Sequence, residues 1–304
     1  MATTRSALKR REAIDGYLFI APWLIGFVVF VAGPMLGALA LSFMEWDLFN
    51  DPEWIGFENY QRLTDDPLVV KSLFNTMFYT FLSVPINLVV ALMAAMLLNA
   101  RIKGQPFFRT AFYLPAVMPA VANAVLWFYI LNPEAGLANA ALSWLGLPES
   151  QWLFDADSAK PTFILMGVWG IGNTMVIFLA GLQGVPASLY DAAHIDGANA
   201  WQRFRVVTIP MLSPVILFNL VLGVIGSFQI FTSAYLLTDG GPNNSTLFSV
   251  LYLFRLGFEQ FQMGYAAAFA WLIFFIILMF TLIQLKLSQR WTCLLYTSPS
   301  PRDS

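Results

Sequence analysis

The sequence is short of charge, of cysteine and of histidine, and each shortage excludes something. Only 11% of its 304 residues are Asp, Glu, Lys or Arg, while 58% are hydrophobic. The charge is also unevenly spread. Six runs contain none at all: Gly16–Met44, Ser72–Ala100, Thr110–Pro133, Pro161–Tyr190, Val206–Thr238 and Gln260–Leu285. The shortest has 24 residues and the longest 33. A soluble domain must solvate the outer faces of its helices and strands, so it cannot keep so many long uncharged runs. An ordinary soluble enzyme, a nucleic-acid binder and a disordered chain are excluded. The single Cys, Cys293, and single His, His194, leave no disulfide and no Cys or His metal cluster, so no metal is expected. No Gly-Lys dipeptide occurs, so there is no G-x-x-x-x-G-K-[ST] phosphate loop and no ATP hydrolysis by that route. No cofactor and no catalytic residue are expected; a Ser–His–Asp site could use only His194, beside a basic loop.

What is present is a set of membrane-length apolar segments. Each run exceeds the ~20 residues that cross ~30 Å of hydrocarbon. In lipid the backbone must be paired within helices or a closed barrel. Barrel strands alternate polar and apolar residues, whereas Leu272–Phe280 is apolar throughout. The predicted fold class is therefore all-α: a polytopic membrane protein with helices at 17–43, 73–99, 107–131, 162–183, 207–236 and 264–287. Lys and Arg set the orientation. The two terminal segments and the loops after the second and fourth spans hold 12 Lys and Arg with five acids; the other three loops hold four with thirteen. Both termini are predicted to be cytoplasmic. The first run has 29 residues, well beyond the roughly 7–15 of a cleaved signal peptide's apolar region. No segment outside the spans is long enough for an independent domain.

The runs lack the buried Asp, Glu, Lys and Arg that proton- and sodium-driven carriers place mid-membrane. Energy for transport is expected from a partner. The spans do carry neutral polar residues: Asn75, Thr76, Asn87, Asn123, Asn173, Thr174, Asn219, Ser227, Gln229, Thr232 and Ser233. Interhelical hydrogen bonding accounts for most of them, at roughly 0.6 kcal/mol each. Others fit a cavity for a neutral polar solute. Trp169 with Asn173 and Thr174, and Ser227 with Gln229 and Tyr235, are the candidate solute path. Sugar hydroxyls need uncharged donors and acceptors, and their C–H faces stack on aromatics. Prolines Pro22, Pro34, Pro85, Pro115, Pro119, Pro210 and Pro214 mark possible kinks.

The most informative segment is Gly184–Pro214. Ser188 and Asp191 have the spacing of a capping box that would start a helix running to about Asp196. Gly197 fits a left-handed C-terminal position, and Asn199 can cap a second helix from Ala200 toward Val207. Small residues cluster at this bend, where another backbone could approach. Such an element can lie on the headgroups, with Arg203 and Arg205 on lipid phosphates, or it can dock a soluble partner. The residues alone leave both readings open.

The run from Asp191 to Pro210 resembles the EAA loop in permease subunits of binding-protein-dependent ABC importers. That pattern is E-A-A-x-x-D-G-A, five residues, F, x-x-I-x-L-P. Ala192, Ala193, Asp196, Gly197, Ala198, Phe204 and Pro210 match without a gap; Asp191, Val207 and Ile209 are conservative departures. Phe19–Trp23, Gly56–Tyr60, Leu236–Pro242 and Met263–Ala268 resemble the carbohydrate-uptake branch, and within it the first permease of the pair. The resemblance implies a sugar importer of a bacterial or archaeal plasma membrane. It implies an ABC ATPase dimer, a second and paralogous permease, an extracytoplasmic solute-binding protein and surrounding membrane lipid as partners, with no nucleic acid. By match, Asp191 would pair with a basic residue of the ATPase and Gly197 would supply the turn.

The expected layout is a cytoplasmic segment over 1–16, a permease domain over 17–291 with its coupling loop at 184–208, and a non-native tail over 292–304. The tail reads TCLLYTSPSPRDS from Thr292 and matches nothing in the family pattern. Two other functions compete. An ion-coupled or facilitative sugar carrier would work alone, and a membrane receptor or scaffold would move no solute.

Overall fold

A computed structural model describes residues 2–100 and 103–289 of the chain. The tail at 292–304 lies outside the described residues. The regular structure described is helical except for one ribbon, in which β1 (Met44–Glu45) pairs antiparallel with β2 (Glu53–Trp54). Four helical stretches are long and apolar enough to cross a membrane: Glu12–Leu41, Pro67–Asn99, Ala200–Leu237 and Met263–Ser288. The first joins α1 (Ala2–Phe27) to α2 (Gly33–Leu41) through one wide turn. Between the ribbon and the second stretch lies α3 (Glu58–Asp65).

The other two expected spans are present but bent. α5 (Gln105–Tyr113) and α6 (Ala120–Ile130) meet at 102°, so the span expected over 107–131 is two helices with a sharp break at the prolines. The break follows a 3-10 turn over Leu114–Val117 and lies at Met118 and Pro119, whose backbones are extended. Proline removes a donor and pushes the preceding residue out of helical conformation. Pro85 and Pro214 lie inside helices that continue through them, so position decides whether proline breaks a span. After the short α7 (Leu137–Trp144), α8 (Ala156–Trp169) and α9 (Gly172–Gln183) meet at 48°. There Gly172 abuts α5: a Cβ on it would lie 2.8 Å from the Phe112 carbonyl oxygen. Counting each bent pair as one span gives six.

The chain divides into two compact units, Met1–Asp65 with Leu253–Leu272 and Asp66–Tyr252 with Ile273–Ser304. In the first, Asn59 on α3 donates its side-chain amide to the carbonyls of Ser42 at 3.1 Å and Met44 at 2.9 Å. Phe43 packs on Trp54, Phe57 and Tyr60. The Met263 amide donates to the Trp46 carbonyl at 2.8 Å, and the Arg62 guanidinium lies 4.2 Å from the Tyr265 ring centre. A side chain at Gly264 would collide with the Met44 carbonyl. The Gly56–Tyr60 and Met263–Ala268 motifs thus hold one ribbon from two sides.

The second unit is built on α4 (Pro67–Asn99). Asp66 caps it by accepting from the Leu68 and Val69 amides, with Pro67 opening the first turn. α8, α9 and α12 (Ile209–Phe228) pack around it. Ala91, Ala94, Ala95 and Leu98 of α4 meet Met175, Phe178, Leu179 and Leu182 of α9, with Leu212 of α12. Both sets follow the i, i+3, i+4, i+7 spacing of one helix face. The alanines let the backbones approach, and a Cβ at Gly181 would lie 2.9 Å from Leu212 and Val215. Asn75 of α4 donates to the Asn244 and Leu247 carbonyls of the loop before Ser249, and Thr76 bonds Ser249 at the start of the next helix.

Candidate functional site

Two features of the second unit carry the functional chemistry, a cavity and a loop. The cavity measures about 330 Å³. α4 supplies Tyr79, Ser83 and Asn87, four residues apart and therefore on one face. α6 supplies Asn123, α9 supplies Thr174, and α12 supplies Asn219 and Ser227. Ser233 enters from α13 (Thr232–Leu237). Gly167, Gly170, Gly223 and Gly226 complete the wall. A Cβ at Gly167 would lie 3.3 Å from both Asn87 Nδ2 and Ser83 Oγ, so glycine there preserves open space.

No lining residue is Asp, Glu, Lys, Arg or His. Several polar groups are satisfied within the protein. Asn87 Nδ2 donates to Ser83 Oγ at 3.1 Å, Asn219 Nδ2 to the Val215 carbonyl at 3.0 Å, and Ser227 Oγ to Thr80 Oγ1 at 2.9 Å. Two are not: Asn87 Oδ1 and Asn123 Oδ1 are buried without a hydrogen-bond partner. An unmet buried acceptor costs about 1–3 kcal/mol, and such groups call for an explanation. A hydroxyl that donates into the cavity removes this cost.

The expected solute-path residues divide. Thr174 and Ser227 line the cavity; Trp169, Asn173, Gln229 and Tyr235 do not. Trp169 packs edge-on against Trp127, 6.1 Å between centres, beside a separate apolar crevice. Asn173 is exposed and neighbours Thr174, so helical rotation turns the two about 100° apart. Gln229 is exposed and caps the end of α12. Tyr235 stacks on Phe231, 5.5 Å between centres. The four-residue spacing of Tyr79, Ser83 and Asn87 was available in the sequence as a signal for the lining.

The loop is a short helix, a turn and a second helix. α10 (Ala187–Ile195) follows Pro186, which holds the cap position without a side-chain cap. The expected capping box of Ser188 and Asp191 does not form, because the helix starts at Ala187 and Ser188 already lies inside its first turn. The turn is as expected. Gly197 has φ of 78°. Its amide donates to the His194 carbonyl at 3.0 Å, and the Ala198 amide donates to the Ala193 carbonyl at 2.9 Å. These are the paired closing bonds of a left-handed helix end. Asn199 and Gln202 form a reciprocal capping box at the start of α11 (Ala200–Arg203). α11 passes through a wide turn, Phe204–Thr208, directly into α12.

The matched loop residues are displayed unequally. Asp191, Ala192, Asp196 and Gly197 are exposed; Ala193, Ala198, Phe204 and Pro210 are half-buried. Asp191 has no ion-pair partner among the described residues. Large apolar side chains stand in the open, among them Ile195 at 85% exposed and Trp201 at 67%, the latter stacked on Phe204. Backbone groups at the turn and at the start of α11 are satisfied internally, while apolar side chains and a carboxylate face outward. That is the character of a docking surface.

Comparison with known proteins agrees with this geometry. Residues 67–292 match the family described as binding-protein-dependent transport system inner membrane component. The chain is 43% identical to the probable ABC transporter permease protein YesP of Bacillus subtilis (strain 168) over 295 residues, 95% of each chain. It is 37% identical to the lactose transport system permease protein LacF of Rhizobium radiobacter, over 93% of this chain and 97% of the relative. Among solved structures it resembles a chain of a bacterial ABC transporter involved in the import of the acidic polysaccharide alginate. There the TM-score is 0.81 and the identity 26%, covering 96% of this chain and 100% of that one. The family match spans every cavity and loop residue described above, and the chain belongs to the binding-protein-dependent transport system inner membrane components as an ABC importer permease.

Proposed function

We propose that this chain is the permease subunit that passes a sugar or sugar-like solute from an extracytoplasmic binding protein into the cytoplasm. The observation that carries this reading is the charge-free cavity with two unpartnered amide oxygens, Asn87 Oδ1 and Asn123 Oδ1. A polyhydroxylated solute can donate to both, and no ion is needed to neutralise the site. The lactose transport system to which LacF belongs points to the same solute class.

Energy comes from a separate ABC ATPase dimer seated on the coupling loop at 184–208. Asp191 offers its carboxylate to a basic residue of the ATPase, and Ile195 and Trp201 supply apolar contact. ATP binding closes the ATPase dimer and pulls the docked helices, and the spans then open outward to receive solute. A second, paralogous permease completes the pathway within the membrane lipid. The permease domain runs over 17–291, with both termini and the coupling loop on the cytoplasmic side of a bacterial or archaeal plasma membrane.

The test is reconstitution into proteoliposomes with the second permease, the ATPase and the binding protein. Labelled oligosaccharide should accumulate only when ATP and all four components are present. Uptake by this chain alone would overturn the reading in favour of an independent carrier.

A further inference from the structure

The coupling loop and the cavity are joined by one unbroken helical stretch. It starts at Ala200, directly after the left-handed turn, and runs to Phe228 through the wide turn at Phe204–Thr208. Its far half carries Asn219, Gly223, Gly226 and Ser227 into the cavity wall. What happens at its base is therefore felt at the site, since a helix of this length transmits displacement along its axis. α10, the other arm of the loop, is tied to that base in two places on one face. His194 Nδ1 lies 3.0 Å from Arg203 Nη1 in an exposed contact. Four residues earlier, the Tyr190 hydroxyl lies 3.0 Å from Thr208 Oγ1 in a part-buried one. Thr208 is 5% exposed. Asp191, Ala192 and Ile195, turned the other way on α10, are exposed.

The two ties differ in weight. An exposed contact between flexible side chains competes with water and contributes little. A hydroxyl pair shielded from water keeps its geometry, and breaking it leaves a buried oxygen unsatisfied. The left-handed turn alone cannot hold α10 rigid against α11, because it joins the two arms at one end only. A second, distant attachment fixes their relative angle.

We infer that the Tyr190–Thr208 hydrogen bond is the strut that makes α10 and the base of α12 move as one body, so that Tyr190 and Thr208 are positioning residues for transport. Neither side chain is needed to bind solute or nucleotide. The inference rests on the proposed docking of an ATPase on this loop. Without the strut, the docked helix rocks about Gly197 and its displacement is lost before it reaches the cavity.

Tyr190→Phe and Thr208→Val, singly and together, test this in the complete transporter in proteoliposomes. Tyr190→Phe removes one oxygen and keeps the ring. ATPase subunits should still co-purify in full ratio, and ATP hydrolysis should continue. Solute moved per ATP hydrolysed should fall by about threefold or more in each single variant. The double variant should fall no further, because both changes remove the same bond. Thr208→Ser keeps the hydroxyl and should restore the ratio. An unchanged ratio in either single variant overturns the inference, as does a double variant whose losses multiply. Loss of ATPase co-purification in Tyr190→Phe also overturns it, since the hydroxyl would then serve docking. A wild-type complex that neither hydrolyses ATP nor moves solute overturns the docking reading, and this inference with it. Normal wild-type transport beside unaffected variants overturns the inference alone.

Discussion

The cavity and the coupling loop treat polar groups in opposite ways. The loop closes its turn with internal hydrogen bonds, through Gly197, Ala198 and the Asn199–Gln202 box, and turns Asp191, Ile195 and Trp201 outward. The cavity turns its chemistry inward and leaves Asn87 Oδ1 and Asn123 Oδ1 without donors. Each loop residue acts beside its sequence neighbours. Each cavity helix gives one to five residues, and the helices that share the wall are spread along the chain. A docking surface must persist whether or not its partner is present, so internal closure suits it. A transport site must release what it binds, and unmet hydrogen-bond capacity in a charge-free wall gives attraction without a buried charge to hold the solute fast.

This contrast can be broken most severely at the turn. Gly197→Val places a β-branched residue at φ of 78°, a conformation such residues rarely adopt. Uptake should drop to background while the protein still reaches the membrane fraction, as read by transport assays and immunoblots side by side. Normal uptake would remove the loop from the mechanism. A change in the cavity should separate function from stability instead. Asn87→Leu deletes an unpartnered acceptor, so thermal stability in detergent should hold or rise while uptake falls by about tenfold. Loss of stability and uptake together would make Asn87 an ordinary packing residue.

A gentler test concerns space. Gly167→Ala brings a methyl within 3.3 Å of Asn87 and Ser83. Uptake should fall several-fold for an oligosaccharide and less for a monosaccharide; an equal loss for both would argue against steric selection. The smallest effect is expected at the exposed tie. Arg203→Ala removes the contact with His194 and should cost no more than about 0.5 kcal/mol. Solute moved per ATP should stay within twofold of wild type, and a larger loss would raise this contact to the rank of the buried one.

Legibility followed the same division. The left-handed glycine and the Asn199 cap were readable because a turn and a cap are decided by residues within a few positions of each other. The Ser188–Asp191 box is misplaced by two positions of helix start, since Pro186 already holds the cap position. The cavity lining was half legible. Thr174 and Ser227 were found by polarity, but polarity could not say that Asn173, one step along the same helix, points elsewhere. The bend in 107–131 escaped because seven prolines mark the spans and only the pair Pro115 and Pro119 makes a sharp break.

The sequence by itself determined that the chain crosses a membrane, roughly where it does so, and how the loop around Gly197 turns. Those properties depend on apolar length and on local backbone pairing, which each segment settles alone. Only the tertiary structure decided which face of each span turns inward, that two spans bend, and that Tyr79, Ser83, Asn87, Asn123 and Asn219 share one cavity. A helix that is apolar nearly all round carries little record of its rotation. Its phase is set by close packing, by small residues such as Ala91, Ala95 and Gly181 that let particular neighbours approach, and those neighbours lie far away in the chain.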